Sequence, residues 1–194
     1  MTRTRLTALG DSFVEGYGMA AADGWVRLFA DLFGLPEESI VNLGRYGATT
    51  GDVIDTQLGI ALAARTPLIG VMVGANDLLG AYVPEQFRAN LATLFSALTG
   101  PDTVVFTSTY PRIPRLEAMP RAFRELMTAR FFEANECVRE LAAATGVLCL
   151  DIARSPSWDR PVMWSADGLH PSPDGHRVFA DAMADLVATS GGLR

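Results

Sequence analysis

The chain has 194 residues, 49% of them hydrophobic, enough for one domain to bury a core without disulfides or metals. Its formal net charge is -6 with no block of like charges, so the counterion release that drives DNA or RNA binding has no source here and no nucleic-acid partner is expected. All 16 basic residues are arginine, which excludes a Walker lysine, a Schiff-base lysine and a Ser-Lys dyad.

In chain order, the first segment is a β-rich run at Arg5–Leu9. No signal-peptide-like or membrane-spanning apolar stretch is present, a span needing about 18 residues, so a cytoplasmic location is the expectation. Strand-like runs follow at Ile40–Leu43, Leu68–Val73, Val104–Thr107 and Val147–Asp151. Between them, Trp25–Leu35, Gly51–Arg65, Pro84–Leu98, Arg121–Thr145 and Pro173–Thr189 carry apolar residues at three- and four-residue spacing, the pattern of amphipathic helices. This alternation predicts an α/β fold, a central five-stranded parallel sheet with helices on both faces. With no repeat or linker, residues 1–194 are read as one three-layer domain. Tyr110–Pro120, with three prolines, reads as an irregular loop, either a substrate-facing flap or a connector. Cys137 and Cys149 are too far apart for a C-x-x-C motif and are read as buried thiols.

Open parallel sheets gather ligands at the carboxyl ends of their strands. Four segments rich in Gly, Asn, Asp, Ser and His fall at such ends or in the last loop. They are Gly10-Asp11-Ser12-Phe13, Asn42-Leu43-Gly44-Arg45-Tyr46-Gly47, Gly74-Ala75-Asn76-Asp77 and Asp167-Gly168-Leu169-His170-Pro171. A serine hydroxyl becomes a nucleophile only when a base takes its proton, and histidine is the usual base near neutral pH. Of the two histidines, His170 lies three residues after Asp167, a spacing that lets the carboxylate hold one ring nitrogen and leaves the other for a serine. His176 lies in the following helical pattern and reads as a solvated or helix-packing residue. Acyl transfer also needs donors aimed at the developing oxyanion. Asn76 can supply a side-chain amide, Gly47 a backbone N–H, and Ser12 its own N–H if it opens the turn after the first strand.

Each piece alone has a plain structural use: Ser12 as a helix cap, Asn76-Asp77 as a turn, Asp167 and His170 as a polar loop. Together, and in this order, the four segments resemble the GDSL, or SGNH, hydrolase family over Gly10 to about Ala180. The resemblance implies a flavodoxin-like SGNH fold without cofactor or metal. It also implies Ser12 as nucleophile, Asp167 and His170 as the pair that activates it, and an oxyanion hole from Ser12, Gly47 and Asn76. Phe13 stands where the family name has leucine, and Gly44, three residues before Gly47, leaves the choice of glycine N–H open. The family includes lipases, thioesterases, lysophospholipases, arylesterases and carbohydrate deacetylases, which its motifs do not separate. A small soluble ester or acyl-thioester is the expected substrate, with a carbohydrate O-deacetylase or lysophospholipase as alternatives and the oligomeric state not readable. Arg45, Tyr46, Tyr110 and Trp164 flank the expected site as candidates to shape an acyl pocket.

Three further readings compete. An α/β-hydrolase proper would need a G-x-S-x-G elbow, which Gly10-Asp11-Ser12-Phe13-Val14 lacks. A non-catalytic flavodoxin-like binding module could use the same strand edge, but it gains nothing from a serine matched to an Asp-x-x-His pair. Metal-dependent hydrolysis lacks an H-E-x-x-H ligand set.

Overall fold

A computed structural model describes residues 5–190 of the chain. Its sheet contains β1 (Leu6–Gly10), β2 (Ile40–Asn42), β3 (Leu68–Met72), β4 (Val104–Ser108) and β5 (Leu148–Leu150), in the order β2-β1-β3-β4-β5. All four pairings are parallel, with Leu6 opposite both Ile40 and Leu68. Every residue of β1 and β3 is buried, as a sheet covered on both faces requires. The five-stranded parallel sheet expected from the alternation is therefore present, with no strand boundary shifted by more than one residue.

The helices are α1 (Ser12–Glu15), α2 (Trp25–Leu32), α3 (Thr50–Val53), α4 (Gly59–Ala64), α5 (Ala75–Leu79), α6 (Pro84–Leu98), α7 (Arg121–Thr145) and α8 (Pro173–Thr189). The sequence chemistry explains their ends. Ser172 caps α8 by accepting from Gly175 N, with Pro173 at the first helical position, and Gly146 closes α7 in the left-handed conformation at φ 76°. The expected Gly51–Arg65 helix is interrupted: α3 and α4 are joined by a π-helical stretch, Ile54–Leu58, that points Gln57 into the interior. The Tyr110–Pro120 loop contains a 3-10 turn at Pro114–Ala118.

α2 packs with α8, while α6 packs with α7, α3 and α4. On the α2 side, Trp25, Phe29, Phe106 and Phe179 form a buried aromatic cluster, and a side chain at Gly70 would come within 2.7 Å of the Phe106 ring. His176 belongs to this packing. It is 1% exposed, so the solvated option is excluded, and its Nδ1 accepts from Trp25 N at 3.1 Å. Burial, reinforced by the charge of His170, lowers its pKa from 6.5 to about 4. Cys137 is buried as expected, whereas Cys149, expected buried, is only partly so because short β5 forms the sheet edge.

With the order β2-β1-β3-β4-β5, the chain leaves β1 toward one edge and returns past it to β3, so the switch point lies between β1 and β3. The crevice beyond the carboxyl ends of those two strands is where such folds place their ligands.

Candidate active site

β1 ends at Gly10, where φ is 153° and an added Cβ would lie 1.9 Å from Met72 O, so only glycine fits. Gln57 clamps this turn, accepting from Gly10 N at 2.8 Å and donating to Gly10 O at 2.9 Å. Asp11 then caps α1 by accepting from Phe13 N at 3.0 Å, which makes Ser12 the first residue of the helix. Among the described residues the N–H groups of Ser12 and Gly47 make no hydrogen bond.

The last loop brings the other partners. Asp167 accepts from Leu169 N at 2.9 Å and His170 N at 3.0 Å on Oδ1, and faces His170 Nδ1 with Oδ2 at 2.7 Å. His170 Nε2 lies 3.1 Å from Ser12 Oγ. Ser12, His170 and Asp167 are thus connected in series across 158 residues of sequence. Burial alone would raise the Asp167 pKa, but the His170 ring and the two backbone N–H groups outweigh it and hold the carboxyl at about 2. The loop is braced on both sides, by Arg115 N donating to Gly168 O at 2.9 Å and Ser165 N donating to His170 O at 2.8 Å.

Asn76 is the second residue of α5 beyond β3, and its Nδ2 donates to Ala48 O at 2.9 Å, leaving one amide hydrogen for a ligand. That bond fixes Asn76 to the loop carrying Gly47. Asp77 reinforces it by accepting from Thr50 N at 2.9 Å and Thr50 Oγ1 at 2.6 Å. Gly44 is occupied otherwise. Its N–H donates to Asn42 Oδ1 at 2.9 Å, and a Cβ there would lie 2.2 Å from Glu15 N. Gly47, at φ 77°, is exposed and would place a Cβ in open space. Of the two glycines, Gly44 serves the packing of β2 against α1, and Gly47 presents its N–H.

Of the other flanking residues, Tyr110 and Trp164 are anchored in the protein. Tyr110 Oη donates to Val73 O at 2.6 Å, and Trp164 Nε1 donates to Trp158 O at 3.0 Å. Both line an apolar cavity of about 90 Å³ together with Phe13, Ile113, Trp158 and Leu169. Its wall includes neighbours of Ser12 (Asp11, Phe13), of Asn76 (Ala75) and of His170 (Leu169, Pro171). Arg45 and Tyr46 are exposed.

The sequence alone assigns no role to Asp11, Gln57 or Thr50, and to Asp77 only a turn. Asp11 is 5% exposed, and burial, with the Asp77 charge adding to it, raises its pKa from 3.8 to about 7 against the pull of the Phe13 N–H. Its position beside Ser12 was the available signal, but nothing local showed that the carboxyl is buried. Among the described residues no three His, Cys, Asp or Glu side chains group so as to hold a metal ion, and no helix is long and apolar enough to cross a membrane.

A parallel α/β sheet with serine, histidine and aspartate hydrogen-bonded in series at its switch point has the architecture of a three-layer hydrolase. The model of the GDSL-like lipase/acylhydrolase family matches residues 8–178, and the chain belongs to that family; it is an ester-hydrolysing enzyme. Solved structures share the fold. The lipase/acylhydrolase from Enterococcus faecalis superposes with a TM-score of 0.76 at 24% identity, covering 96% of each chain. The psychrotrophic esterase EstA from Pseudoalteromonas sp., inhibited by monoethylphosphonate, gives 0.72 at 18% identity, covering 99% of this chain and 100% of its own. A variant of Axe2, an acetyl-xylooligosaccharide esterase from Geobacillus Stearmophilus, gives 0.72 at 21% identity, covering 96% of each. No curated protein matches the chain.

Proposed function

We propose that the protein is a serine esterase that hydrolyses a small carboxylic ester or acyl-thioester through an acyl-enzyme on Ser12. The carrying observation is the hydrogen-bonded series from Ser12 Oγ through the His170 ring to Asp167. His170 Nε2 takes the Ser12 proton as Oγ bonds to the carbonyl carbon, and Asp167 holds the imidazole in the tautomer that leaves Nε2 free to accept. The N–H groups of Ser12 and Gly47 and the second amide hydrogen of Asn76 stabilise the oxyanion. On collapse, the bond to the leaving oxygen or sulfur breaks and that atom takes the proton from His170. Water, deprotonated by the same ring, then releases the acid and restores Ser12.

The apolar cavity supports a short acyl group. At about 90 Å³ it is smaller than the roughly 150 Å³ cavity that accommodates benzene. The inhibition of EstA by monoethylphosphonate supports a phosphonate-sensitive serine in this chain as well. We further propose that residues 1–194 act as one domain.

Kinetics of purified variants test the assignment. Ser12→Ala and His170→Ala should each lower kcat by several orders of magnitude with the fold retained. Asn76→Ala should lose about 100- to 1000-fold, the value of a single oxyanion donor. Full activity in Ser12→Ala or His170→Ala would overturn the assignment, and a loss below about threefold in Asn76→Ala would give the oxyanion role to another group.

A further inference from the structure

Two aromatic rings beside His170 take no part in the chemistry described above. Tyr17 lies with its ring centroid 4.7 Å from that of His170 and 4.7 Å from that of Tyr46, and Tyr46 lies 6.3 Å from His170. The three rings are tilted by 33° to 41° from one another, so they form one stepped surface. Tyr17 is 47% exposed and Tyr46 59%, and among the described residues neither hydroxyl has a hydrogen-bond partner.

The backbone anchors both tyrosines at the reacting centre. Tyr17 N donates to the carbonyl of Ser12 at 2.9 Å, just beyond the left-handed Gly16 that closes α1. Tyr46 directly precedes Gly47. Both rings therefore stem from the segments that carry the nucleophile and Gly47. An exposed aromatic surface beside the reacting centre suits a ligand contact, because covering it removes apolar area from water and a flat partner gains stacking as well.

Proton flow fixes which part of the substrate meets this surface. The leaving oxygen must come within hydrogen-bond reach of His170 Nε2, whereas the carbonyl oxygen turns toward Gly47 and Asn76. The alcohol half of the ester is therefore on the His170 side, where Tyr17 and Tyr46 stand. We propose that Tyr17 and Tyr46 form the leaving-group subsite and select esters whose alcohol carries a ring, aromatic or pyranose, over esters of straight-chain alcohols. This inference rests on the assignment of Ser12 and His170 as nucleophile and base.

The test compares benzyl acetate and a mono-O-acetyl methyl xylopyranoside with n-butyl acetate, whose alcohol is of nearly the same acidity as benzyl alcohol. The wild-type enzyme should favour benzyl over n-butyl acetate by about tenfold in kcat/KM, mainly through KM. Tyr46→Ala and Tyr17→Ala should bring that ratio close to one, Tyr46→Phe and Tyr17→Phe should keep it, and Phe132→Ala, exposed on α7, should leave every rate unchanged. Preference for both ring esters would define the subsite by ring shape; preference for the xyloside or for benzyl acetate alone would narrow it to the pyranose or aromatic class. A wild-type ratio near one for both ring esters would overturn the proposal, as would a ratio unchanged in both alanine variants. Equal losses on ring and straight-chain esters would also overturn it, by showing that the tyrosines only position His170. Failure of the nucleophile assignment is separately visible, since n-butyl acetate turnover would then survive Ser12→Ala.

Discussion

Replacing Asp11 by Asn isolates the energetic consequence of a carboxyl buried beside the serine. Asp11 is 5% exposed, and burial, with a smaller push from the Asp77 charge and against the Phe13 N–H, raises its pKa from 3.8 to about 7. The folded protein therefore binds this proton more tightly than the unfolded chain. The associated stability is whole below pH 3.8 and is lost as pH rises through about 7. At 1.36 kcal/mol per pH unit the interval corresponds to about 4 kcal/mol, or on the order of 10 °C in Tm for a chain of this length. Asparagine keeps an oxygen to accept from Phe13 N, the bond that caps α1, and removes the charge. Thermal unfolding of both proteins by calorimetry at pH 4.5 and pH 8 is the assay. The Tm of Asp11→Asn relative to wild type should be higher at pH 8 than at pH 4.5 by roughly 10 °C. An equal difference at the two pH values would refute the reasoning.

His176 should act in the opposite direction. Its pKa falls from 6.5 to about 4, so the stability it contributes is present above pH 6.5 and lost as pH falls toward 4, about 3 kcal/mol at the limit. His176→Asn, which can keep an acceptor for Trp25 N, should flatten urea midpoints between pH 7 and 4.5 relative to wild type; parallel curves would contradict this. Gly44→Ala should destabilise markedly and depress turnover, because its Cβ would lie 2.2 Å from Glu15 N and push on α1. Gly47→Ala meets nothing within 4 Å, so it should cost only the strain that a side chain adds at the left-handed φ, about 1–2 kcal/mol. Equal Tm values for the two variants would undo the distinction drawn between these glycines.

Much of the fold was legible because long periodic segments report their own burial. Pro84–Leu98, Arg121–Thr145 and Pro173–Thr189 end where the sequence reading ended them, at Pro and Gly signals and a Ser-Pro start. The site was legible because Ser12, Asn76, Asp167 and His170 each sit in a short segment of chemically specific residues at a strand end or in the last loop. What could not be read there depends on contacts between distant segments. Gln57 reaches Gly10 across 47 residues only because a π-helical stretch rotates it inward. Asp11 looks like any capping aspartate until Met72 and the sheet close over it. His176 left two options open until its ring was placed against Trp25. α1 has four residues, too few for any periodicity, and its existence follows from the Asp11 cap and the left-handed Gly16.

The central claim is that Ser12 is the nucleophile of an acyl transfer, and covalent labelling tests it most directly. Purified protein is treated with a fluorophosphonate, digested and mapped by mass spectrometry, with Ser12→Ala and heat-unfolded wild type alongside. The account predicts stoichiometric modification at Ser12, coincident with loss of esterase activity, and none in either control. A folded protein that hydrolyses esters yet carries the label elsewhere, or resists it with activity intact, would contradict the claim.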